Sequence, residues 1–107
     1  MFGDMGKMLQ LVGRIKTELP AMKEKLASSQ FTSEAGGGAV AVTVNGKGRV
    51  AEIKISPEAM ADGDAAMLAD IIKAAVAAAQ EQASVAAAEA MKELTGGMEI
   101  PGLEGLL

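Results

Sequence analysis

The sequence predicts an α+β fold in the order α-β-β-β-α, a three-stranded antiparallel sheet with two long helices. Three observations predict it. Residues 39–56 read AVAVTVNGKGRVAEIKIS: Val40, Val42 and Val44 alternate with smaller residues, and beyond Asn45-Gly46 a second run sets Ala51, Ile53 and Ile55 against Val50, Glu52 and Lys54. A period of two in β-branched residues marks half-buried strands. Met5, Met8, Val12, Ile15, Leu19, Met22 and Leu26 recur at intervals of three and four, the spacing of one helix face. Met67, Leu68, Ile71, Ile72, Ala75, Val76 and Ala79 repeat that pattern after the strands, continued by Val85, Ala86, Ala90, Met91 and Leu94.

Taken in order, the first helix spans residues 4–27, with Asp4 as its N-cap at the positive end of the helix dipole. Gly13 weakens it by about 1 kcal/mol relative to Ala. Pro20 removes a backbone hydrogen bond and crowds the preceding turn, so a bend near Lys16 to Pro20 is expected, or a stop and a new start there. Phe31 and Ser33 alternate with Thr32 and Glu34 in a first strand at 30–35, and Gly36-Gly37-Gly38 turns the chain into the main hairpin. A glycine run beside a strand invites comparison with a phosphate-cradling loop, but that loop needs a helix start and a Lys-Ser/Thr pair after it, and neither follows.

The second and third strands span 39–45 and 49–56. Asn-Gly is a tight-turn signal because both residues tolerate positive φ. Parity then predicts an even loop. Two or four residues put Val40, Val42 and Val44 on the face of Ala51, Ile53 and Ile55, whereas three would turn Glu52 and Lys54 inward unless a bulge intervenes. Pro57 ends the sheet, and Ser56 to Met60 suits a short helical turn. Asp62-Gly63-Asp64 lacks the further spaced oxygens of a calcium loop, and Asp64 reads as the N-cap of a second helix over 65–94 that stops at Gly96-Gly97. The remainder, 95–107, is Gly/Pro-punctuated and reads as a mobile tail.

The 107 residues make a single domain, 1–107. There is no Cys and no His, and the only aromatic residues are two Phe. The usual general base, the usual soft metal ligands and a base-stacking surface are therefore missing from the composition. The acids form no convergent set. No enzyme, cofactor, metal or small-molecule substrate is expected. No apolar run reaches membrane-spanning length and no signal peptide opens the chain, so no membrane role is expected and the location is read as cytoplasmic. The net charge is −4, unevenly spread: residues 1–26 carry five cations against three acids, and the rest five against eleven. The first helix is the part suited to an anionic partner.

A second helix of about 30 residues is ~45 Å long, while a compact domain of this size has a radius of gyration near ~13 Å. It must project. A methionine seam and a projecting small-residue helix leave apolar surface that one copy cannot cover, so a homodimer is expected. The candidate interface is Val40, Val42, Val44, Ile53, Ile55, Ile71 and Ile72.

The segments in this order resemble the YbaB/EbfC family of bacterial nucleoid-associated proteins. The resemblance is carried by Met1-Phe2-Gly3, the seam from Met8 to Leu26, GGGAVAVTVNG over 36–46, VAEIKISP over 50–57, and Gly97-Met98 to Pro101-Gly102. It implies a tweezer-like homodimer with the sheets as its body and the helices as arms around double-stranded DNA. It also implies binding with little sequence demand, a nucleoid location and no catalysis. Charge and placement make Lys7, Arg14, Lys16, Lys23, Lys25 and Lys92 the candidate DNA-binding residues; the turn cations Lys47 and Arg49 read as solvating a loop. The acidic balance keeps open an alternative, a dimeric protein-interaction module that grips an apolar partner through the methionine-rich helix.

Overall fold

The computed structural model describes residues 2–97. The elements run α1 (Phe2–Ser28), β1 (Gln30–Ala35), β2 (Val40–Asn45), β3 (Val50–Ile55), α2 (Pro57–Ala61) and α3 (Ala65–Thr95). The α-β-β-β-α order is observed, with α2 as the short turn between sheet and long helix. The tail expected to be mobile lies, from residue 98 on, outside the described residues.

Helix α1 begins at Phe2, so Asp4 falls inside the helix and is not its cap. It also runs unbroken through Pro20, with no stop and new start. The physical reason lies on its buried face. Leu19 and Met22 flank the proline and pack, with Leu11, against a cluster of Ile15, Met91 and Leu94. That burial outweighs the one hydrogen bond Pro20 cannot make. Pro20 itself is exposed.

The sheet has the order β1-β2-β3, both pairs antiparallel. Central β2 alternates fully: Val40, Val42 and Val44 have no exposed surface and face Ala75, Ala79 and Ala83 of α3. Alanines four apart lie along one side of a helix, and their small side chains let the valine ridge sit close to the α3 backbone. On the opposite face the Thr32 and Thr43 hydroxyls hydrogen-bond at 2.8 Å, and Lys54 pairs with Glu52 at 3.3 Å.

The hairpin departs from the even-loop expectation. Asn45 N–H donates to the Arg49 carbonyl at 2.9 Å, leaving three residues, 46–48, in the loop. Thr43 faces Glu52, but Val44 faces Val50, so Ala51 is an extra residue in β3. The odd loop turns the strand over and the bulge turns it back. Ile53 and Ile55 thus rejoin the face of Val42 and Val40, and Val50 takes the place expected for Ala51. Asn-Gly also acts by another means than positive φ at both residues, since among the described residues only glycines have positive φ. The Asn45 side-chain oxygen accepts from the N–H groups of Lys47 (2.9 Å) and Arg49 (3.0 Å), and Gly48 supplies the left-handed position at φ +82°.

Helix α2 is capped by Ser56, whose hydroxyl accepts from Ala59 N–H at 3.2 Å. Helix α3 is capped by Asp64, accepting from Met67 N–H at 3.0 Å, and ends with Gly96 left-handed. Along α3 the buried line runs Ala75, Ala79, Ala83, Met91 and Leu94, while Met67 and Val85, expected in the stripe, are exposed.

Helices α1 and α3 are antiparallel: Ile15 meets Met91 and Leu94, and further along Leu26 shares a groove with Ala83 and Ala87. The outcome is elongated, 67 × 21 × 17 Å, with a radius of gyration of 18.9 Å. Its accessible surface, 7339 Å², is about a third larger than expected for a compact chain of this mass.

Candidate nucleic-acid interface

At about 100° per residue, the α1 cations do not form one stripe. Lys7, Arg14 and Lys25 fall on one flank of the apolar seam, and Lys16 and Lys23 on the other, roughly half a turn away. Helix α3 packs along the seam and divides the two flanks into two grooves.

The first groove is lined by Arg14, Lys25, Ser29 and Phe31, and faces Ala86, Glu89 and Glu93 of α3. Glu18 stands on its α1 wall and holds the Arg14 guanidinium at 2.8 Å. Two cations there meet three carboxylates. Both side chains of the Arg14–Glu18 pair are about half exposed, so the pair adds little stability. Its consequence is electrostatic, since Glu18 offsets the charge Arg14 would offer to a phosphate.

The second groove is about 410 Å³ in volume, between the end of α1, the β2–β3 loop and the middle of α3. Lys23 and Lys47 line it, with Gly46, Gly48, Gln80 and Ser84, and among the described residues no carboxylate stands on its wall. The loop is tied on both sides. Gly46 N–H donates to the Leu26 carbonyl at 2.8 Å, and the Gln80 amide donates to the Gly48 carbonyl at 3.0 Å. A Cβ on Gly46 would run into the Leu26 carbonyl. Glycine is needed there for close approach.

The sequence-predicted cations are therefore placed unequally. Lys23 is in the acid-free groove, Arg14 and Lys25 in the mixed one, and Lys92 beside Glu89 and Glu93 at the end of α3. Lys7 and Lys16 are exposed on α1 and line neither groove. Lys47 is the residue that reading the sequence set aside. Its signal was its place after Asn-Gly; what was missing was the tie between that turn and the end of α1.

Of the expected interface set, Val40, Val42 and Val44 are covered by α3 of the same chain, Ile55, Ile71 and Ile72 are partly buried around that core, and Ile53 is 44% exposed. Val50, also 44% exposed, stands with Ile53 on β3, which among the described residues pairs only with β2 and leaves its other edge open. Met5, Met8, Leu9 and Val12 are exposed on the first turns of α1, ahead of the contact with α3.

An elongated α+β chain with charged arms and a lysine-lined groove fixed to its sheet defines a binding protein suited to polyanions. Residues 1–98 match the YbaB/EbfC DNA-binding family. The chain belongs to that family. It is 41% identical over 102 residues to a nucleoid-associated protein of Anaeromyxobacter dehalogenans, covering 95% of this chain and 99% of that one. It is 40% identical over 103 residues to a nucleoid-associated protein of Pelotomaculum thermopropionicum, covering 96% and 98%. Among solved structures it resembles that of the uncharacterized Helicobacter pylori protein HP0035, at 27% identity and a TM-score of 0.57, over 83% of this chain and 99% of the other.

Proposed function

We propose that the protein is a non-catalytic, nucleoid-associated binder of double-stranded DNA that works as a homodimer and contacts the phosphate backbone with little regard to sequence. Membership of a DNA-binding family over residues 1–98 is the observation that carries this reading. The contacting cations are Lys7, Arg14, Lys16, Lys23, Lys25 and Lys92, with Lys23 the least opposed by carboxylates. Such contacts act by displacing counterions and carry no sequence information themselves.

Two copies meet through the open edge of β3, around Ile53 and Ile55, with Ile71 and Ile72 behind. The large accessible surface and the exposed Val50 and Ile53 support that reading. With about four phosphate contacts per dimer, the log–log salt slope is about −3.6. Fluorescence anisotropy on a labelled duplex tests it: binding at low salt should fade with that slope, and absent or salt-independent binding would refute it.

The exposed Met5, Met8, Leu9 and Val12 favour a second reading, a protein-interaction module. Charge reversal of Lys16 and Lys23 separates the two: it should destroy DNA binding and leave the binding of an apolar protein partner intact.

A further inference from the structure

We infer that the β2–β3 loop is itself part of the DNA-binding surface, with Lys47 and Lys23 forming a two-lysine clamp for one backbone phosphate. The inference rests on the reading that the protein binds duplex DNA, and adds a contact that neither the helices nor the family description assigns.

Three features carry it. The first is charge. The groove between the end of α1, the loop and α3 brings Lys23 and Lys47 together without a carboxylate among the described residues, whereas Arg14 and Lys25 share theirs with Glu18, Glu89 and Glu93. In a protein of net charge −4, a phosphate is drawn to the cations least offset by neighbouring acids.

The second is preorganisation. A lysine on an ordinary loop must be ordered when it binds, which costs conformational entropy. Here the loop backbone is already fixed. Asn45 Oδ1 accepts from Lys47 and Arg49 N–H, Gly48 N–H closes on the Asn45 carbonyl at 2.9 Å, Gly46 is bonded to α1, and Gly48 to Gln80 of α3.

The third is the groove itself. Gly46 and Gly48 bring no side chain to its floor, and Gln80 and Ser84 line the α3 wall with neutral hydrogen-bonding groups. Backbone glycines, an amide, a hydroxyl and two ammonium groups suit a phosphate oxygen, and nothing there reads a base edge.

The test compares Lys47→Gln and Lys23→Gln with wild type by anisotropy on a labelled duplex across a salt series. Lys73→Gln, outside the groove, is the control. Each groove variant should weaken binding on the order of ten-fold at 50 mM salt and flatten the slope by about 0.9 for each phosphate no longer neutralised, and Lys73→Gln should leave both nearly unchanged. Circular dichroism melts, expected to match wild type because Lys47 is exposed, exclude a folding defect. If wild type binds and Lys47→Gln keeps its affinity and slope, the clamp is wrong while DNA binding stands. If wild type does not bind at low salt, both are wrong.

Discussion

The backbone N–H of Gly46 donates to the carbonyl of Leu26 at 2.8 Å, fastening the β2–β3 turn to the last residues of the first helix. This one bond sets how hairpin and helix meet, and leaves no room for a side chain on Gly46. Gly46→Ala should therefore destabilise by about 1–3 kcal/mol, as overpacking does in a site that cannot yield. Gly13→Ala, inside α1, has open space around its Cβ and no positive φ, so it should cost nothing and gain up to about 1 kcal/mol. Urea denaturation of both proteins checks the ranking, and equal losses would contradict the close approach.

The valine ridge and alanine groove make the α3–sheet contact intolerant of volume. Ala79→Leu should lower stability by about 1–3 kcal/mol or prevent folding. Ala78→Leu, one residue away on the exposed side, should stay within about 0.5 kcal/mol. Thermal melts compare them, and a tolerant Ala79 would mean that sheet and helix are not in close contact.

Glu18 and Glu93 act against DNA binding if phosphates approach the flank of Arg14 and Lys25. Glu18→Gln frees the Arg14 guanidinium, and Glu93→Gln removes a facing carboxylate. Each should tighten duplex binding by about 0.3–1 kcal/mol at 50 mM salt, roughly two- to five-fold, with less gain at high salt. Unchanged anisotropy curves would place the duplex away from that flank.

An Ile53→Lys substitution puts a charge on the open strand edge. Light scattering should show a concentration-dependent shift from dimer to monomer at micromolar protein, with the circular dichroism spectrum retained. A dimer that survives intact would move the contact off β3.

Much of this fold was legible because apolar periodicity alone separates the two helices from the strands between them. Asp64 and Gly96 showed the ends of the second helix through cap chemistry that is local to the sequence. Three things were not legible, each because it depends on a distant partner. The helix over 4–27 reads straight through Pro20, but the packing that supports it there comes from Met91 and Leu94, far along the chain. The burial of Val40, Val42 and Val44 by their own chain depends on which face α3 chooses. The grouping of Lys23 with Lys47 depends on the Gly46–Leu26 bond, which has no signature beyond a glycine in a turn. The six cations chosen by charge all stand on α1 and α3, but the division of the α1 set into two flanks needed the position of the second long helix.

Ala51 carries no charge, no hydroxyl and almost no bulk, yet it decides which side of β3 is greasy. Were that unit to pair in step instead of bulging, the three-residue turn would go uncorrected and the strand would roll over like a card, presenting Glu52 and Lys54 to the valines. The least conspicuous letter of the hairpin is thus the one that must stay out of step for the strand to keep its dry side.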